Sequence, residues 1–293
     1  MASHERSKLQ QAFEQVNNVD SPYALHGNAV FGNGMKDTGK VGRLRSLVMD
    51  EVKDLYFKAV TSFIVAATNA DQKYYSWATV AFYYSIFYEQ KIRLLLKHIM
   101  FVRTLKDESS SLYAFKMEKD EKPKRMSGPN NTDHKAVFHE WGKENNTVAD
   151  EGEFGILSLP SSDRHLSIFE WYQKMRDIVH YKSATFIEDS VDEYWETFDK
   201  GKECGLVKLA KVITNETDIY QEKTIEFDKY KAIYSIPCFV LFKTVEEIKR
   251  YKFDNSITDK TLTSSQIKFI TEKLNGLCPP GYNLQTLLDK IIF

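Results

Sequence analysis

The sequence predicts a mainly α-helical protein, an antiparallel helical bundle with a small β-hairpin and an α-rich C-terminal extension. Three features predict it. From Leu44 to Ala70, apolar residues recur at helical spacing through Leu47, Val48, Val52, Leu55, Tyr56, Ala59, Val60, Phe63 and Ile64. A short connection at Asn69 to Gln72 leads into a segment from Tyr74 to Met100. The first half of that segment is apolar on nearly every face, the pattern of a central helix covered all round. So short a connection makes the two an antiparallel pair. Third, "SSDRHLSIFEWYQKMRDIVHYKS" opens on a serine or aspartate cap and reads as a helix over 161–182.

The remaining elements follow in chain order. Residues 5–17 predict a short polar helix, and the glycine-containing stretch from Ser21 to Gly42 has no helical period and reads as a loop. Between 101 and 120, "FVRTLKD" and "SLYAFKMEK" around "ESSS" read as a hairpin. The charged run "KDEKPKRMSGPNNTD" reads as an exposed loop, and "DHKAVFHEWGKEN" as an amphipathic helix with Ala136, Val137 and Trp141 on its apolar side. Asn145 to Leu159 is a further loop, and Ser190 to Lys200 a further helix. Pro237 is expected to break the segment "EKTIEFDKYKAIYSIPCFVLFKTVEEIKRYK", with short helices over 264–275 and 284–292 closing the chain. The organisation predicted is an N-terminal helix and loop (1–43), a helical bundle (44–189) and a helical extension (190–293).

Composition excludes several function classes. Of 293 residues, 42 % are hydrophobic, enough for a substantial core. Forty basic residues nearly balance 41 acidic ones, so net charge draws the chain to neither nucleic acid nor membrane, and any basic surface must be local. Cys204, Cys238 and Cys278 are too scattered for a disulfide framework or a thiolate zinc site, and three free thiols suit a reducing compartment. The opening "MASHERSKLQQ" has no apolar core for a secretory signal. No uncharged apolar run reaches the ~18 residues of a membrane span. These readings point to a cytoplasmic protein with no membrane partner.

Two motifs bear on cofactor or metal chemistry. Gly34 to Lys40 fits G-x-x-x-x-G-K, in which glycines cradle phosphate and the lysine reaches it. However, Val41 stands where Ser or Thr should hold magnesium, and the preceding "HGNAVF" is a weak strand. Gly34, Gly39 and Lys40 are therefore not expected to bind nucleotide. His134 and His139 are five apart, which turns them ~140° from one another on a helix rather than onto one face. Neither a metal nor a cofactor is predicted.

Arg176 and His180 form the strongest candidate site. Residues four apart on a helix lie ~40° and ~6 Å from each other. The apolar stripe of their helix is Ile168, Trp171, Tyr172, Met175, Ile178 and Val179, and the pair lies on its shoulder with Phe169 and Gln173. A cleft between helices or subunits would open there. A guanidinium can hold a phosphate through two parallel hydrogen bonds, and an adjacent imidazole can move protons near neutral pH. The structural account of the same residues is a helix-surface arginine and a histidine favourable to the helix dipole at the last turn.

The helices centred on "SWATVAFYYSIFYEQKIRLLL", followed by "HKAVFHEW" and then "MRDIVHYK", resemble the HEPN superfamily of small helical domains. In that family an early aromatic- and alanine-rich helix packs against a later helix bearing an Arg…His motif. The resemblance spans roughly residues 44–184. It implies a HEPN-like bundle that acts on RNA, as a metal-independent endoribonuclease toxin or phage-defence effector working as a homodimer. In that scheme the ribose 2′-hydroxyl attacks the neighbouring phosphate, with His180 as general acid or base, Arg176 stabilising the charged phosphorane and Tyr181 orienting RNA or the histidine. Only three residues separate Arg176 from His180, fewer than the family pattern has, and each residue removed turns the histidine by ~100°. That departure favours the alternative, a catalytically inactive helical subunit that binds a protein partner in a defence or regulatory complex.

Overall fold

The computed structural model describes residues 7–18, 38–106, 109–117, 124–126, 133–146, 168–179, 195, 198, 229–277, 288–289 and 291–292. The fold is mainly α, with one small antiparallel sheet. In chain order the helices are α1 (Lys8–Val16), α2 (Thr38–Ser46), α3 (Val48–Asp71), α4 (Tyr75–Leu96), α5 (Asp133–Asn146), α6 (Ile168–Asp177), α7 (Lys229–Asp254) and α8 (Ser264–Leu277). The strands β1 (Ile99–Lys106), β2 (Ser109–Lys116) and β3 (Lys124–Arg125) lie between α4 and α5 in the order β1-β2-β3. The chain divides into two compact units, Met1–Leu55 with Gln90–Thr147, and Tyr56–Glu89 with Val148–Phe293.

In the first unit, the expected polar helix at the N-terminus is amphipathic. Its buried residues Leu9, Ala12, Phe13 and Val16 fall at helical spacing, and the Phe13 ring lies 5.5 Å from that of Phe115 on β2. Ser7 caps it by accepting from the backbone N–H of Gln10 at 3.2 Å. The Gln10 side-chain amide then does what a neighbouring strand would do. Its Nε2 donates to the Arg103 carbonyl at 3.2 Å, and its Oε1 accepts from the Arg103 N–H at 2.9 Å. Arg103 sits on β1, the edge of the sheet, where backbone groups would otherwise be open to a stray strand. The predicted hairpin is present, with Ile99 opposite Lys116 and Lys106 opposite Ser109.

The loop expected up to Gly42 gives way to helix from Thr38. Val41 and Leu44 are three apart and both buried, and Val48 continues their line into α3. Burial of that line outweighs the poor helix propensity of Gly39 and Gly42, and Arg43 and Arg45 suit the negative end of the helix dipole. On α5, Ala136, Val137 and Trp141 are buried as the pattern predicted. The indole of Trp141 carries the Arg93 guanidinium 4.4 Å above it and the Lys97 ammonium at 5.4 Å.

The second unit contains the facing halves of α3 and α4. Ser85 Oγ donates to the Ala59 carbonyl at 2.9 Å, and the rings of Phe63 and Phe82 meet edge-on at 5.4 Å. Residue numbers that rise on one helix as they fall on the other define an antiparallel pair. Trp195 stacks on Tyr75 at 5.2 Å and on Phe82 at 6.1 Å, closing one side of α4. Of the residues expected to dock the helix over 161–182, Trp171 and Met175 are buried, whereas Ile178 is half-exposed.

The predicted break at Pro237 does not occur. Helix α7 runs from Lys229 to Asp254 with Pro237 inside it. Proline has no N–H to give the carbonyl four residues before it, here that of Ile233. The Tyr172 hydroxyl on α6 donates to that carbonyl instead. Burial of Ile233, Ile236, Cys238 and Val240 holds the helix together through the proline.

Candidate functional site

Arg176 is the described member of the predicted catalytic pair, and it sits inside the fold. Its side chain is only 11 % exposed, less than the shoulder position predicts. The guanidinium lies 4.4 Å above the ring of the fully buried Tyr83 on α4, and Nη2 is 2.6 Å from the Asp177 carboxylate. Tyr83 supplies the electron-rich face that attracts a desolvated cation, and Asp177 the counter-charge. An arginine so placed ties α6 to α4.

His180 and Tyr181 lie outside the described residues. Residues 178 and 179 are wound as a π-type turn rather than as α-helix. The ~40° offset expected for positions 176 and 180 assumes uninterrupted α-helix, so it does not carry across this turn. Gly34 is likewise outside the described residues, and Gly39 and Lys40 fall in the first turn of α2. Among the described residues no group of three or more His, Cys, Asp or Glu side chains is placed to hold a metal ion, and no helix is long and apolar enough to cross a membrane.

The pattern of α4 suggested a helix covered all round, and the structure corrects it. One face is open. Trp77, Val80, Ala81, Tyr84 and Tyr88 line a groove against Thr61, Ser62, Val65 and Asn69 of α3. The groove encloses about 350 Å³. Trp77 and Val65 are each 46 % exposed, and Tyr74 at the start of α4 is 52 % exposed. The rings of Tyr84 and Tyr88 stack at 6.4 Å. Partial burial, and then the neighbouring Tyr84, push the Tyr88 hydroxyl above its ordinary range, so the groove carries no charge at neutral pH. The signal in the sequence was the combination of aromatics at 77, 84 and 88 with the polar Thr61, Ser62 and Asn69, which a fully buried helix pair would seldom carry.

The second unit also buries polar side chains, among them Thr79, Ser85 and Glu89. Glu89 is fully buried, with its Oε1 2.9 Å from Ser85 Oγ. Burial first, and the Glu89 charge second, raise the Tyr56 hydroxyl and the Cys238 thiol well above their usual ranges. Cys238 is therefore an inert, protonated thiol, and the Tyr56 hydroxyl keeps its proton and donates a hydrogen bond to the Ile291 carbonyl at 2.7 Å. Neither is poised as a nucleophile.

The molecule is thus a mainly α-helical protein with an open, uncharged groove on one helix pair. Comparison with protein-family models, with curated proteins and with solved structures yields no match.

Proposed function

We propose that this is a catalytically inactive helical interaction protein that binds a protein partner through the α3–α4 groove. The observation that carries the reading is the groove itself: a face of Val65, Trp77, Ala81, Tyr84 and Tyr88, with Val65 and Trp77 exposed, on a chain in which 28 % of residues are charged. Exposed aromatic side chains on a rigid helix pair are the usual anchors of protein interfaces.

The competing reading is metal-independent RNA cleavage by Arg176, His180 and Tyr181, and it rests on the resemblance to HEPN domains. The burial of Arg176 against Tyr83 and its pairing with Asp177 weigh against it. One experiment separates the two. Purified protein is incubated with structured and single-stranded RNA, with and without chelator, beside His180→Ala and Arg176→Lys. The interaction reading expects no cleavage by any of the three, and a lowered melting temperature for Arg176→Lys, because lysine lacks the planar group that stacks on Tyr83. RNA cleavage by wild type that His180→Ala abolishes would overturn it. The loss expected from removing an acid–base catalyst is ~100- to 10,000-fold, well clear of assay scatter.

A further inference from the structure

We infer that Arg45 and His98 form an acid-sensitive latch: protonation of His98 releases α2 from the base of the β1–β2 hairpin while the sheet stays formed. The latch belongs to the first unit and does not depend on the groove of α3 and α4.

The geometry carries the inference. His98 turns the chain from α4 into β1 with a left-handed backbone, φ 60°, and its carbonyl accepts from the Met117 N–H at 2.9 Å. That backbone pair is the base of the hairpin. The guanidinium of Arg45, in the last turn of α2, forks across it. Nη1 donates to the Met117 carbonyl at 3.0 Å, and Nη2 lies 3.1 Å from Nε2 of the imidazole. Arginine can only donate, so Nε2 must accept, and the neutral ring keeps its one proton on Nδ1. A proton on Nε2 sets two donors and two positive charges against each other. The contact then changes from a hydrogen bond into a repulsion.

The rest of α2 is weakly held. Two of its nine residues are glycine, the poorest helix former after proline. Among its described side chains, Val41 and Leu44 are the buried apolar ones. Arg43 reaches Gln15 on α1 at 2.8 Å, but that hydrogen bond is exposed to water. An element with so little burial sits at the low end of local stability, where one lost tie decides whether it stays docked.

The surrounding charges act in the same direction. Arg45 from α2 and Lys116 from β2 face the imidazole, and Lys116 has Glu144 of α5 only at 4.0 Å. Lys97, next in the chain, holds its ammonium 5.4 Å over the Trp141 ring of α5. Burial first, then Arg45 and Lys116, lower the His98 pKa from 6.5 to about 4 while the latch is closed. Release of α2 takes Arg45 away from the ring, so the open form binds the proton more tightly. The closed latch is therefore favoured in full above pH 6.5 and loses ground as pH falls from there toward 4. Acidification is the trigger.

The test is amide hydrogen exchange on the full chain at pH 7.5 and 4.5, corrected for the intrinsic pH dependence of exchange. Protection of residues 41–46 should fall by roughly 10-fold at the lower pH, the loss of one charge-assisted hydrogen bond after solvent screening. The amides of β1 and β2 should keep their protection. His98→Gln offers Arg45 a carbonyl acceptor that does not titrate, so α2 should stay equally protected at both pH values. Arg45→Gln asks the same question from the other side. Its carboxamide oxygen can accept from protonated His98, so the acid response should again vanish. Melting near that of wild type at pH 7.5 shows that a variant folds, and either folded variant suffices. The latch is overturned by wild-type α2 equally protected at both pH values, by protection lost evenly from α2 and the sheet, or by an undiminished response in a folded variant.

Discussion

The Tyr172 hydroxyl on α6 donates to the carbonyl of Ile233 on α7, the group that Pro237 leaves without its helical partner. A proline in a helix interior costs ~3 kcal/mol or more, part of it the unmet carbonyl. Here the unmet carbonyl is turned into a link between two helices.

Tyr172→Phe should therefore destabilise the protein by about 1–3 kcal/mol, the cost of stranding a buried acceptor. Pro237→Ala restores an amide that can serve Ile233 from within α7. Chemical denaturation of the two single variants and the double should give a non-additive cycle, with Tyr172→Phe costing less once Pro237 is gone. Additive effects would show that the hydroxyl is not standing in for the missing amide.

His98 should make stability depend on pH. Its Nε2 lies 3.1 Å from Arg45 Nη2, and arginine can only donate, so the imidazole accepts there as the neutral form. Burial first, then Arg45 and Lys116, lower its pKa from 6.5 to about 4. A depressed histidine favours the unprotonated fold, because the unfolded chain binds the proton more tightly. The contribution is full above pH 6.5 and is lost as pH falls from there toward 4. His98 is half-exposed, so solvent screening reduces the effect. Melting curves between pH 7.5 and 4.5 should fall less steeply for His98→Gln than for wild type; equal slopes would remove His98 as the cause.

Gly42→Ala should stabilise the protein. Gly42 lies inside α2, is exposed, and a Cβ added there meets nothing within 4 Å. Alanine loses less backbone entropy on folding, so a gain of about 0.5–1 kcal/mol is expected. A rise in melting temperature would bear this out, and a fall would mean that residues 38–46 are not helical in solution.

Gln10→Ala should loosen the edge of the sheet. It removes both hydrogen bonds to Arg103, each with a net worth of about 0.5–1.5 kcal/mol. Faster amide hydrogen exchange at Arg103 is the direct readout. Gln10→Glu keeps the acceptor but loses the donor, so it should protect the Arg103 N–H while leaving the carbonyl unserved.

The sequence by itself determined the features that local periodicity controls. The stripe from Leu47 to Ile64 marked α3, Ala136, Val137 and Trp141 marked the buried face of α5, and the segments "FVRTLKD" and "SLYAFKMEK" marked the hairpin. Such patterns record which side of one element meets the core, and a single segment carries them whole. Tertiary structure alone decided the rest. Whether Pro237 ends a helix depends on a hydroxyl that reaches the Ile233 carbonyl from 61 residues away in the chain. Whether Gly39 and Gly42 open a loop or sit in a helix depends on what covers Val41 and Leu44. Whether Arg176 faces a cleft or the core depends on Tyr83 lying beneath it on α4. An apolar run like that of α4 looks the same in sequence whether its last face is covered or open, because periodicity shows that a face is apolar and cannot show what is packed against it.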